Sequence, residues 1–349
     1  MENTIASLRP MRLGEILDQA IRLYRRNFAT FIGIIALVYV PLMLIQTGLS
    51  YLTTSSINPA ATDPSQILSA SYWLGLMGMF VLAIVQMVLI QGVATAALTR
   101  AVADNYLGQP ISTMEAYRKI GSSWMRLLAV LVLMILLLMG VGIAMLVPCV
   151  GWLAGPGALI FISWAVTPLL APIVMIEKLD AASVIRRAWD LARRRFWWML
   201  GFMFILVLLS NLIVTGPTLA VNFILTLVFG QQDPFQSAII TTVINAVVSL
   251  IAGTFYLPLQ LTAYTLVYFD LRVRTEGFDL ALLSMQISGA QPSLESIQEL
   301  PTQAPSGKLV EWTDVGNFAI LTMVGVGLYF LLIAILFLIF GTIGSLSGL

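Results

Sequence analysis

The run Arg193-Arg194-Arg195-Phe196-Trp197-Trp198 concentrates more interaction chemistry than any other stretch of this 349-residue chain, and Arg25-Arg26-Asn27-Phe28 echoes it. Clustered guanidinium groups attract anionic lipid headgroups, each charge contributing about 1 kcal/mol near such a surface. Neighbouring Trp and Phe rings settle at headgroup depth. Arg25, Arg26, Arg193, Arg194, Arg195, Trp197 and Trp198 are therefore the expected headgroup contacts. The simpler role of setting depth and orientation stays open for the same residues. A second set, Asn211, Asn222, Asn245 and Gln260, places amides inside apolar runs. Such amides either bond one another across helices or line a hydrophilic cavity. Two opposite-charge pairs at four-residue spacing, Asp18–Arg22 and Arg186–Asp190, read as intrahelical ion pairs worth about 0.2–0.5 kcal/mol each.

Other chemistry is missing. The chain has no histidine, which removes the usual general base and the commonest metal ligand. Its single cysteine, Cys149, cannot form an intramolecular disulfide or a thiolate cluster. Phosphate loops, dinucleotide glycine patterns and nucleic-acid modules do not occur. No catalytic residue, metal, cofactor or nucleic-acid partner is expected.

The elements that must position the arginines are membrane spans. Apolar residues make up 59% of the chain and charged residues 10%, far from the roughly 45–50% and about 25% of soluble domains. Crossing the hydrocarbon core takes about 20 apolar residues in a helix. Seven runs qualify, at 28–49, 72–99, 125–147, 152–176, 196–228, 237–269 and 316–341, and none alternates as a barrel strand would. The expected fold is an all-α, polytopic helical membrane protein. Of 18 Lys and Arg residues, 17 fall in four clusters between these runs, and Lys308 stands alone in a later linker. The intervening segments 48–71, 147–152 and 229–236 contain none. The positive-inside rule then puts the clusters and the N-terminus in the cytoplasm. The expected location is a cytoplasmic membrane, in a composition that suits a bacterium. No acidic residue falls in the core of a span, so an ion-coupled pump is disfavoured.

An internal repeat organises the chain. Residues 13–33 align with 181–201 at an offset of 168, matching Ile16 with Val184, Ala20 with Ala188 and Leu23 with Leu191. A weaker copy runs through Ala116, Ile120 and Trp124. Each copy reads as an interfacial amphipathic helix followed by two spans, giving three parallel repeats. The expected domains are an N-terminal amphipathic segment (1–27), a six-span domain (28–275), a cytoplasmic linker (276–315), and a seventh span with a short outer tail (316–349). A short helix at 278–287 precedes the Pro- and Ser-bearing part of the linker. Gly216-Pro217 and Pro258 mark expected irregularities in the two longest spans.

The opening from Leu8-Arg-Pro-Met-Arg-Leu-Gly-Glu to Tyr24-Arg-Arg-Asn-Phe28 resembles that of the glycerophosphodiester phosphodiesterase membrane-domain family. So do the stretch from Pro172 through Glu177 to Arg195-Phe-Trp197 and the closing Tyr268-Phe-Asp-Leu-Arg-Val-Arg-Thr-Glu-Gly-Phe-Asp-Leu280. The resemblance covers residues 8–280 and implies a six-span bundle, fused in some relatives to a catalytic domain. That domain needs histidines and metal-binding carboxylates, which this chain lacks, so the enzymatic activity does not carry over. The leading expectation is a non-enzymatic scaffold or accessory subunit whose basic cytoplasmic face binds anionic membrane lipid or a membrane or cytoplasmic protein partner. The alternative is an uncoupled carrier or flippase-like protein for a lipid or small amphiphile.

Overall fold

A computed structural model of the chain describes residues 10–56, 70–177, 179–229, 234–287, 294–298 and 309–346. Arg9, Lys178, Lys308 and, within the expected linker, residues 288–293 and 299–308 lie outside the described residues. Among those described, every regular element is a helix. Helix α1 (Leu13–Arg26) leads into α2 (Phe28–Ser56), and α3 (Ala70–Gln86) passes through a π-helical stretch, Met87–Ala94, into α4 (Thr95–Tyr106). Helices α5 (Thr113–Lys119), α6 (Ser123–Ala144) and α7 (Val150–Phe161) follow, and a second π stretch, Ile162–Val166, joins α7 to α8 (Thr167–Ile176). Then come α9 (Ala181–Arg193), α10 (Phe196–Ser210), a third π stretch at Asn211–Thr215, and α11 (Gly216–Phe229). Helices α12 (Pro234–Glu276), α13 (Phe278–Ile287), α14 (Leu294–Gln298) and α15 (Trp312–Leu346) complete the described chain.

Seven helical stretches are long and apolar enough to cross a membrane: Phe28–Tyr51, Trp73–Tyr106, Ser123–Ala144, Val150–Ile176, Phe196–Val228, Ile240–Glu276 and Trp312–Ile335. The chain is a multi-pass membrane protein by this criterion. Gly216-Pro217 does not break the fifth stretch. The π turn just before it absorbs the donor that proline lacks, and the helix continues. Helix α12 likewise runs unbroken through Pro258 for 43 residues, about 65 Å at the α-helical rise. It therefore extends well past a hydrocarbon core of about 30 Å.

The arginines mark one end of the bundle, the basic end, and the packed core lies in the half beside it. Phe31, Ile34, Leu98, Leu169, Phe202 and Leu271, all in that half, are fully buried. In the far half Leu74, Phe80, Leu146, Leu212 and Phe223 are exposed, each by 66% or more. So much apolar surface is untenable in water and ordinary in lipid.

Short helices close the basic end. In α1, residues Ile16, Ala20 and Leu23 face the core, and in α9 the aligned Val184, Ala188 and Leu191 do the same. Ala116 of α5 is also fully buried. Side-chain oxygens start two of them: Ser112 accepts from the Glu115 amide and Asp180 from that of Ser183, an N-cap typically worth about 1 kcal/mol. Tyrosines then tie the helices to the spans. Tyr24 donates to the Phe255 carbonyl at 3.0 Å and Tyr117 to that of Ile34 at 2.6 Å. Burial pushes both hydroxyl pKa values up to about 12, so both remain donors. The segment expected to be a flexible linker is partly built in. Helix α14 buries Leu294 and Ile297, and Gln298 donates to the Met175 carbonyl.

Candidate functional site

The basic end is organised around a polar ladder on α12. Gln260, Tyr264, Tyr268, Arg272 and Glu276 recur every four residues, which sets each beside the next in a row that winds about 40° around the helix at each step. The ladder runs from the middle of the bundle to the basic end. Its lower rungs meet two charged residues from elsewhere in the chain. Glu177, just past α8, accepts from the Tyr268 hydroxyl at 2.6 Å and binds Arg187 of α9 at 3.2 Å. Arg187 also holds Glu276, and Arg272 bonds Glu276 at 3.1 Å. The four charged side chains are each at most 8% exposed. Two guanidinium groups and two carboxylates make the cluster neutral as a whole. Burial works against the charge on Arg187, and Glu177 and Glu276 more than compensate, holding its pKa above the ordinary value.

Phe278 roofs the cluster. Gly277 takes a positive φ of 64° after the last turn of α12, a conformation that glycine adopts without steric cost. The resulting reversal lays the Phe278 ring 4.3 Å from the Arg272 guanidinium carbon, within cation–π range. Both carboxylates are already held by guanidinium groups, so the arrangement is a clamp between α8, α9 and α12 rather than an acid–base pair. A second tie runs alongside it. Asp270 accepts from the Met11 amide at 2.8 Å and from Arg274 at 2.7 Å, while Arg274 also bonds the Met11 carbonyl.

The headgroup candidates divide three ways. Arg194 and Arg195 line a cavity of about 460 Å³ with Pro10, Val273, Arg274 and Thr275. Arg195 and Arg274 both lie over the Trp198 ring, at 5.6 and 6.0 Å. Arg194 is held by Asp190 and Arg274 by Asp270, whereas Arg195 Nη1 has no hydrogen-bond partner among the described residues. Arg193 turns away from this cavity to bind Asp190, Asp314 and Glu311 at the start of α15. Trp197 is half-exposed and packs edge-on against Phe196. Arg25 and Arg26 are exposed at the far end of α1, about 20 Å of helix from its start at Leu13. Sequence reasoning missed Arg274 as a member of this group. The ion pair expected between Arg186 and Asp190 does not form, because inward-facing Asp190 is taken by Arg193 and Arg194. The Asp18–Arg22 pair is likewise not formed among the described residues.

The four membrane amides do not converge. Asn245 donates to Asn222 at 2.8 Å, Asn211 bonds the Val207 carbonyl one turn back, and Gln260 lines a cavity. That cavity, about 250 Å³, is a cleft between the π-flanked starts of α4 and α8 and the middle of α12.

No known protein family, characterised protein or solved structure matches this chain.

Proposed function

We propose that this protein is a non-enzymatic scaffold or accessory subunit of a cytoplasmic membrane that holds an anionic phospholipid headgroup at its basic, cytoplasmic end. The observation that carries the reading is the cavity of Arg194, Arg195 and Arg274 over Trp198, with one guanidinium nitrogen left unpaired. A phosphate there would supply that nitrogen with an acceptor and Arg195 with a counter-charge, a strong charge-assisted bond. Trp198 provides the amphipathic wall that such sites use at headgroup depth.

In this reading α1, α5 and α9 are interfacial helices that open three parallel repeats, each followed by two spans. The common burial of Ala20, Ala116 and Ala188 supports the repeat. Membership of the glycerophosphodiester phosphodiesterase membrane-domain family, without its enzyme, remains part of the proposal. It gains support because the three resembling stretches supply the same site: Met11 from the first, Glu177 and Arg187 from the second, and Tyr268 to Phe278 from the third.

Two experiments test this. Substituting Arg194 and Arg195 with Gln should lower the anionic lipid that copurifies in polymer nanodiscs, by roughly fivefold per charge. The same change at Arg25 and Arg26 should leave it near the wild-type level. Equal lipid content in the two variants would reject the cavity as the binding site. For orientation, a periplasmic reporter fused after residue 60 or 234 should be active and one fused after Ser293 inactive. Activity after Ser293 would invert the topology.

A further inference from the structure

The cleft in the middle of the bundle has its own chemistry, separate from the arginines. Three helices that pack against one another each contribute a polar pair at four-residue spacing: Gln91 and Thr95, Ser163 and Thr167, Gln260 and Tyr264. All six line the same cavity, and no charged residue does. Two of the helices change winding here. Thr95 and Thr167 each donate a hydroxyl to the carbonyl five residues back, of Ile90 and Ile162, which also accepts the backbone amide of the same threonine. Such π segments are frequent at functional sites.

Hydrogen-bonding capacity is left over. Among the described residues Gln91 and Ser163 have no side-chain partner, and both are exposed. Gln260 donates its amide proton to Tyr264 at 2.6 Å, which leaves the Gln260 oxygen to accept and the Tyr264 proton to donate. The inner wall is packed: Leu127 and Leu170 are each 1% exposed. Ser163 stands thirteen residues from each end of the stretch Val150–Ile176, so the opening sits near mid-span. Trp164, next to Ser163 in sequence, is also exposed.

We propose that this cleft binds the head of an uncharged amphiphile, one that presents hydroxyl or ester oxygens and enters sideways from the bilayer. A charged head would lose hydration without meeting a counter-charge, a cost that hydrogen bonds alone do not offset. A head without oxygens would leave the amides and hydroxyls unmatched. The cleft holds roughly eight waters' worth of space at ~30 Å³ each, enough for a compact head while the tails remain in lipid. The site does not depend on the arginine cavity, and the two readings fail independently.

The test uses the full chain in nanodiscs with two photoreactive probes of identical tails, a diacylglycerol and the corresponding phosphatidic acid. The diacylglycerol should label peptides containing residues 87–95, 162–171 and 257–264. Gln260→Leu, close in volume, and Ser163→Met, placed at the exposed mouth, should each reduce that labelling by roughly threefold to tenfold. Arg195→Gln should leave it unchanged. Thermal unfolding of each variant in detergent checks that the bundle is intact, and Ser163→Met disturbs no packed contact if Gln260→Leu does. Equal labelling of these peptides by both probes would mean that the tails alone partition there, and the proposal falls. Labelling that neither variant reduces overturns it too.

Discussion

Arg187→Met is expected to destabilise the protein by about 3–5 kcal/mol, the usual cost of removing one partner from a buried ion pair. Arg187 is 3% exposed and holds both Glu177 and Glu276. Methionine keeps much of the volume and deletes the charge. Two buried carboxylates then share Arg272 alone, and the neutral cluster becomes anionic. Arg186→Met, one residue away on the exposed face of α9, is the matched control and should shift stability by no more than about 0.5 kcal/mol. The double change Glu177→Gln with Arg187→Met restores neutrality: the amide introduced at position 177 can still accept from Tyr268, and Arg272 still pairs with Glu276. It should recover most of the loss, a coupling that a double-mutant cycle reads directly. Denaturant titration in micelles, followed by tryptophan fluorescence, measures these three variants, the Glu177→Gln single change and the wild type. If Arg187→Met unfolds with the Arg186→Met control, the clamp does not hold the basic end together.

How much of this was legible in the sequence depends on the range of the interaction. Residues such as 123–144 announce a span by length and composition alone, and the amphipathic period of residues 13–26 places Ile16, Ala20 and Leu23 on the buried face. The clamp was harder to see. Arg272 and Glu276 look like an ordinary charged flank until the four-residue recurrence from Gln260 is followed down α12. Their partners lie about ninety residues earlier in the chain, where no local pattern couples Glu177 to Tyr268. The amides misled for a related reason. Asn211, Asn222 and Asn245 share long spans with Gln260, but helical phase and depth separate them, so two pair and one bonds its own backbone. Gly216-Pro217 was the most persuasive break in the sequence, and a π turn removes it because a wide turn releases the very bond that proline cannot make.

Gly157→Val is expected to release the seventh helix. A Cβ at Gly157 would overlap the Phe318 carbonyl oxygen and stand 2.7 Å from its carbon. Both are backbone atoms, so no side-chain rotation relieves the clash. Keeping α15 on α7 would require the helices to separate, and several contacts would go at once. The Gly157 amide donates to Thr322 Oγ1 at 2.9 Å. Phe318 fills a cluster with Phe161, Trp189 and Phe196, and Arg193 reaches Asp314 at 3.3 Å. Overpacking usually costs about 1–3 kcal/mol, and a rigid backbone contact belongs at the upper end, on the order of a hundredfold in association. A protease site inserted among residues 301–306 makes this measurable. After cleavage in detergent, a tag on the α15 fragment should recover the rest of the wild-type protein and little of Gly157→Val. Gly316→Val and Gly325→Val supply the controls, since a Cβ at either meets nothing within 4 Å. Should all three variants copurify equally, the close approach at Gly157 is not what holds the seventh helix. Selective loss in Gly157→Val would instead make α15 an integral wall of the bundle, positioned by Arg193 from the same run as Arg194 and Arg195, which line the arginine cavity.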